Sequence, residues 1–471
     1  MIEGLKPYPA MKDSGVPWLG EVPEHWEMRR GKWLFCHKKQ LNADRANSNV
    51  LSLTLRGVVN NDPENPEGLV PKDYATYQVF SKGDLVFKLI DLENLRTSRV
   101  GLVHEDGIMS SAYVRLVPQL LVEIQFFFRQ YFDLYQRGIY NQLGAGVRST
   151  LGSADLLDLS VTVPPLSEQA AIARFLDHAD HKIRRYMRAK QKLIKLLEEQ
   201  KQAIIHRAVT RGLDPNVRRK PSGVEWLGDV PEHWDVLCLR RVITRAVDGP
   251  HHSPNYVDSG IPFLSARNIK TDRWSLDDAK FISEDDYVEF SKRVRPEPGD
   301  VLYTKGGTTG VARVVDLPFK FQVWVHVAVL KTNKRRVVPA YLALVLNSPR
   351  CYEQAQLFTR GATNQDLGLG RMKGIWFALP PLTEQHALLG ELAGSTKYLE
   401  TAIEKAQQEI ALLREYRTRM IADVVTGRLD VREAAAGLPE HLDAEEFEAS
   451  DYNEEDDDIE STSDLQEGDD T

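Results

Sequence analysis

The residues that could do chemistry are scattered, and their spacing excludes most chemistry. Lys305-Gly306-Gly307-Thr308-Thr309-Gly310 has the composition of a phosphate-cradling loop. Its lysine precedes the glycines, however, and no Gly-x-x-x-x-Gly-Lys-Ser/Thr occurs anywhere. Gly144-Ala145-Gly146 and Gly368-Leu369-Gly370 do not open onto a convincing phosphate-binding helix. The three cysteines, Cys36, Cys238 and Cys351, lie far apart, with neither metal-ligand nor disulfide spacing. An adenine methyltransferase would show Asn or Asp before Pro-Pro and an aromatic after it. Both Pro-Pro pairs here sit between Val163 or Leu379 and a leucine. His25 and His233 each stand beside a tryptophan in a Gly/Pro-rich lead-in, where packing is the expected role. The acids form no spaced nuclease-like set. The sequence therefore argues against autonomous catalysis and leaves binding.

The binding candidates are polar residues on loops next to glycine. In the first half they are Arg56, Lys88, Arg96, Arg99 and Arg148, with Thr97 and Ser149 nearby. In the second half they are Arg267, Asn268, Lys305, Thr308, Thr309, Arg313, Arg360 and Arg371, with Asn364 and Gln365 nearby. Arg and Lys match guanine edges, Asn and Gln match adenine edges, and Lys, Arg, Ser and Thr hold phosphates. Any one of them alone reads equally well as a solvated surface residue. As a set they fit a DNA face.

These loops must be carried by a repeated frame. Ser14-Gly15-Val16-Pro17-Trp18-Leu19-Gly20-Glu21-Val22-Pro23-Glu24-His25-Trp26 returns 208 positions later as Ser222 to Trp234. From Gly83-Asp84 and Gly299-Asp300 onward the offset is 216. Each half runs from a Trp-rich lead-in through a mixed middle to a Pro-Pro-Leu hinge and a long helix. Ser167-Glu168-Gln169 and Thr383-Glu384-Gln385 open those helices, with a hydroxyl for the N-cap and an acid in the first turn. About forty residues follow without proline, roughly 60 Å of helix at 1.5 Å per residue.

A heptad seam is expected along both helices. In the first it comprises Ile172, Leu176, Ile183, Tyr186, Leu193, Leu197 and Ile204. In the second it comprises Leu388, Leu392, Leu399, Ile403, Ile410, Leu413 and Met420. Glycine near each C-cap ends them, in Thr210-Arg211-Gly212-Leu213-Asp214 and Thr426-Gly427-Arg428-Leu429-Asp430. Two equal long helices, one closing each half, predict a paired antiparallel spacer. The middles alternate short β-type runs with turns and a few helical stretches, which predicts α+β domains.

The net charge of −8 conceals an uneven distribution. Residues 440–471 hold sixteen Asp and Glu and no Lys or Arg, which leaves the preceding 439 residues at +8. Such a tail is expected to be disordered, either as a solubilising appendage or as a competitor of nucleic acid for basic surface. No apolar run reaches transmembrane length and no signal-peptide core is present, so a reducing cytoplasm is expected.

The duplicated Trp-Leu-Gly-x-Val-Pro-Glu-His-Trp, the Pro-Pro-Leu-Ser/Thr-Glu-Gln hinges, the long helices and their Leu-Asp ends together resemble the specificity subunit of a type I restriction–modification system, over residues 12–435. The resemblance implies two tandem α/β target-recognition domains separated by two antiparallel coiled-coil helices, as a pseudo-twofold internal repeat. The implied segments are 1–162 and 216–378 for the recognition domains, 163–215 and 379–436 for the helices, and 437–471 for the tail. It implies a non-catalytic chain that reads an asymmetric bipartite site in double-stranded DNA. Its partners would be two modification subunits, which methylate adenine, and ATP-dependent restriction subunits. S-adenosylmethionine, ATP and Mg belong on those partners, with no cofactor on this chain. Two other readings stay open: a self-contained DNA-modifying enzyme with a cryptic site, and a scaffold that has lost DNA recognition.

Overall fold

The computed structural model describes residues 5–62, 64–65, 71–90, 92, 97–143, 150–361 and 366–439. Arg96, Arg148, Ser149, Asn364, Gln365 and the acidic tail lie outside them. The chain divides into two compact units. Of the described residues, one holds those up to Ala189 and those from Glu409; the other holds Lys190–Gln408. Each is therefore built from one globular middle, the opening of the long helix that follows it, and the closing part of the other long helix.

Both units use the same sheet. In the first, strands Phe35–His37, Val114–Pro118, Leu85–Phe87 and Val100–Leu102 pair antiparallel in that order. In the second, Ile243–Asp248, Val327–Thr332, Val301–Thr304 and Ala312–Val314 do the same. The duplicated Gly-Asp turn serves this sheet twice. Asp84 accepts from the Ser81 amide at 2.6 Å and pairs with Arg115 at 2.6 Å. At the same offset, Asp300 accepts from the Glu297 amide at 2.8 Å and pairs with Lys331 at 2.6 Å.

The long helices are Leu166–Arg211 and Leu382–Val425. A short antiparallel pair precedes each: Glu27–Arg30 with Ser160–Val163, and Asp235–Cys238 with Trp376–Leu379. That pairing sets the lead-in histidine and tryptophan against the helix start. In the first unit Trp26 Nε1 donates to Glu168 Oε1 at 2.9 Å, His25 Nε2 lies 2.8 Å from Glu168 Oε2, and the Tyr8 hydroxyl also donates to Glu168. In the second unit Trp234 and His233 engage Glu384 at 3.1 and 2.8 Å. Gln169 and Gln385 bind the hinge backbone, donating to the carbonyls of Pro164 and Pro380.

Each tryptophan also touches the end of the other helix. A Cβ on Gly427 would lie 3.1 Å from the Trp26 ring, and one on Gly212 would lie 3.4 Å from the Trp234 ring. Both glycines have positive φ, 78° and 72°, as helix-ending glycines do. A buried tryptophan thus joins the start of one long helix to the end of the other in each unit.

The helices run antiparallel within each unit. In the first, Thr162 lies against Val425 while Asp180 binds Arg417, so one number falls as the other rises. In the second, Gly212 lies near Glu384 and Lys201 pairs with Glu400 at 2.7 Å. Ile172, Leu176 and Ile183 bury in one core with Met420, Ile421 and Val424. Leu388 and Leu392 bury in another with Ile205, Ala208 and Val209, and Ile204 packs beside it. Leu399 and Ile410 are buried; Leu197, Ile403 and Leu413 are partly so; Tyr186 and Leu193 are exposed.

The repeat closes on itself. The Asp430 amide donates to the Lys6 carbonyl at 2.8 Å. Lys6 shifted by 208 and Asp430 shifted by 216 land on one residue, Asp214. The covalent passage through Asp214 into the second lead-in is thus matched in the first unit by a hydrogen-bonded junction between the two ends of the repeat.

Candidate nucleic-acid interface

In the first unit the binding candidates separate by burial. Arg56 is exposed at the tip of the Leu51–Thr54/Gly57–Asn60 hairpin, its amide capped by Thr54 Oγ1 at 3.1 Å. Lys88 Nζ donates to Thr97 Oγ1 at 3.0 Å, and its amide donates to the Arg99 carbonyl at 3.0 Å. Arg99 itself is 0% exposed. Arg96 and Arg148 lie outside the described residues.

In the second unit the candidates form two groups. Arg267 and Asn268 lie on the turn that leads to Trp274, and Arg313, from the strand Ala312–Val314, packs against it. Asn268 is buried and turned inward: Oδ1 accepts from the Ser265 amide at 2.8 Å, and Nδ2 donates to the Ser275 carbonyl and to Asp278. The Arg313 guanidinium stacks 4.9 Å from the Trp274 ring, a cation–π contact. Arg267 is half-buried on the same turn.

The other group is Lys305, Thr308, Thr309, Arg360 and Arg371, at one end of the unit. Thr308 and Arg360 are exposed and Thr309 is buried. Lys305 is 5% exposed; its ammonium lies 2.9 Å from Asp366 Oδ1 and 3.5 Å from Asp248 Oδ2. Arg371 donates to the carbonyls of Asp366 and Phe358 at 2.7 and 2.8 Å. Burial raises the pKa of the Asp248 carboxyl, but the Arg293 hydrogen bond and the Lys305 charge outweigh burial and hold it below the ordinary carboxylate value. Asp248 is therefore ionised at neutral pH, as a buried carboxylate between two cations should be.

No sequence motif marks Asp248, His251, Arg293 or Asp366 as belonging to this end. The only local signal was the Asp248-Gly249-Pro250-His251-His252 run, in which Gly and Pro mark a tight loop. Among the described residues no group of three or more His, Cys, Asp or Glu side chains is placed to hold a metal ion, and no helix is long and apolar enough to cross a membrane. The arrangement presents hydrogen-bonding and cationic side chains on and around loops at the sheet.

The family described as "Type I restriction modification DNA specificity domain" matches twice, over residues 23–196 and 231–410. A protein of Methanocaldococcus jannaschii, provisionally named as the MjaX specificity subunit of a type I restriction enzyme, is 23% identical over 442 residues, covering 88% of this chain and 96% of that protein. The type I restriction enzyme EcoBI specificity subunit of Escherichia coli is 22% identical over 286 residues, 59% of this chain and 60% of that protein. A solved structure reported as the structural basis of complex assembly and conformational transition of the type I R-M system superposes with a TM-score of 0.58 at 15% identity, covering 86% of this chain and 98% of that one.

Proposed function

The chain belongs to the type I restriction modification DNA specificity family, and from that premise we propose that it supplies a restriction–modification complex with its address. Each globular middle, within 1–162 and 216–378, reads one half of an asymmetric bipartite site in double-stranded DNA. The paired helices, within 163–215 and 379–436, set the separation of the two halves and dock two modification subunits. Restriction subunits join that assembly in the cytoplasm. The methyl donor, ATP and Mg are held by those partners, and this chain performs no bond-making step.

The observation that carries this reading is one sheet frame used twice with different loops. The same strand order recurs in both units and its Asp-centred ion pairs repeat at an offset of 216, while the candidate reading residues do not recur. A duplicated frame with unlike loops is what two unlike half-sites require. Most affinity should come from phosphate contacts and fall steeply with salt; discrimination should come from base edges and DNA shape.

The test is methyl transfer to DNA with labelled donor. The chain mixed with its modification subunits should methylate DNA at a bipartite site, and the purified chain alone should transfer nothing. Transfer by the chain alone would contradict the proposal.

A further inference from the structure

Three segments far apart in sequence meet at one end of the second unit: Asp248 to Pro254, Lys305 to Gly310, and Arg360 with Asp366. The Lys305 ammonium joins Asp248 to Asp366. Asp248 also binds Arg293, through its carboxylate and through its carbonyl at 3.0 Å. Arg293 reaches His251 Nε2 at 3.1 Å. Backbone bonds fix the same segments: the Lys305 amide donates to the His326 carbonyl at 2.8 Å, and Asp366 and Arg360 exchange both of theirs. Two of the glycines in these segments, Gly249 and Gly306, have no room for a side chain. A Cβ on Gly249 would lie 2.0 Å from the Val323 carbonyl oxygen, and one on Gly306 would lie 2.2 Å from His326 Nδ1.

The first unit shows that the frame does not need this arrangement. The Leu367 amide donates to the Lys305 carbonyl at 2.7 Å, and 216 positions earlier the Leu151 amide donates to the Leu89 carbonyl at 2.9 Å. Lys305 and Leu89 thus hold the same place, and both are buried. A leucine fills that place without any charge to desolvate. A buried ammonium between two carboxylates is a poor way to gain stability, since desolvation consumes most of the attraction. What it provides is fixed loop geometry at a site that must be held to a fraction of an ångström.

We propose that this end is the edge with which the second unit reads its DNA half-site, with Lys305 as a positioning residue and the exposed His251 and Thr308 as DNA contacts. His251, with 62% of its side chain exposed, follows Asp248 in one of the segments that the ammonium joins, and the exposed Thr308 follows Lys305 itself in another. An imidazole and a hydroxyl there can each bond a base edge or a phosphate. The proposal rests on the DNA-reading assignment above and goes beyond it by naming the edge.

The test uses the full chain assembled with its modification subunits. The methylated site is mapped by sequencing, and methylation rates are then measured on DNA with single base changes in either half. His251→Ala and Thr308→Val, both at exposed positions, should reduce discrimination in one half-site by roughly tenfold or more, the loss expected for a good base contact, and leave the other half unchanged. The double variant Lys305→Leu/Asp366→Asn puts the first unit's leucine in place of the ammonium and removes a carboxylate charge that faced it. It should weaken discrimination in that same half while leaving thermal stability and salt-dependent, sequence-independent DNA affinity in place. Wild-type discrimination in both halves for all three variants would overturn this inference alone. A wild-type complex with no bipartite preference would overturn the reading beneath it as well.

Discussion

Asp180 lies where the first long helix meets the end of the second, and it should carry an identifiable share of the first unit's stability. Burial alone would raise its pKa, but the Arg417 and Arg184 guanidiniums outweigh burial and lower it. A lowered folded-state value means that the stabilisation is present above the unfolded pKa, about 3.9, and is lost as pH falls through the folded value. Asp180→Asn should therefore cost about 1–3 kcal/mol at pH 7 and much less near pH 2, measured by urea unfolding at both. An equal cost at the two pH values would count against the ion pair. The two clasp glutamates give a second contrast. Glu168 is 4% exposed with three side-chain partners, whereas Glu384 is 26% exposed with two. Glu168→Gln should destabilise more than Glu384→Gln, the first by about 2 kcal/mol; the reverse order in denaturant melts would contradict the assigned partners. Residue letters alone could not show these environments. Arg99 and Arg360 look alike in the sequence, yet one is fully buried and the other exposed. Asp248, Lys305 and Asp366 lie many dozens of residues apart, and no local pattern announces that they meet.

At the scale of elements the sequence was far more legible, because periodic patterns need only local information. The seven-residue recurrence, the Pro-Pro hinges and the C-terminal glycines mark two helices that span Leu166–Arg211 and Leu382–Val425 in the structure. Paired short strands also stand near several of the β-type runs, such as Leu85–Phe87 and Val301–Thr304. The partner of each lead-in tryptophan was not legible, since Trp26 and Glu168 are brought together only by the strand pair between them. If the paired helices set the spacing between half-sites, one heptad inserted into both should lengthen the non-specific gap in the methylated site. An unaltered gap would remove the helices from that role. Gly427→Ala offers a narrower check. Its added methyl would meet Pro23 at 2.3 Å on a backbone with positive φ, so a loss of about 1–3 kcal/mol is expected in thermal melts.

At the scale of the whole molecule, the duplication is the fact from which the rest follows. One frame, repeated with offsets of 208 and 216, yields two units that have the same four-stranded antiparallel sheet and differ around it, the second adding a further sheet of Tyr256–Val257, Lys280–Ile282, Ile261–Leu264 and Gln322–Val323. The acidic stretch from 440 lies beyond both family matches. Truncation after residue 439 should leave the melting temperature unchanged, and a large drop would contradict the expectation that the tail is dispensable for folding. The central claim is that each repeat reads its own half of the site. The most direct measurement replaces residues 27–162 with the matching segment of another family member, assembles the chain with its modification subunits, and sequences the methylated sites. One half of the bipartite site should change while the other half and the gap persist. An unchanged site, or a change in both halves, would contradict the account.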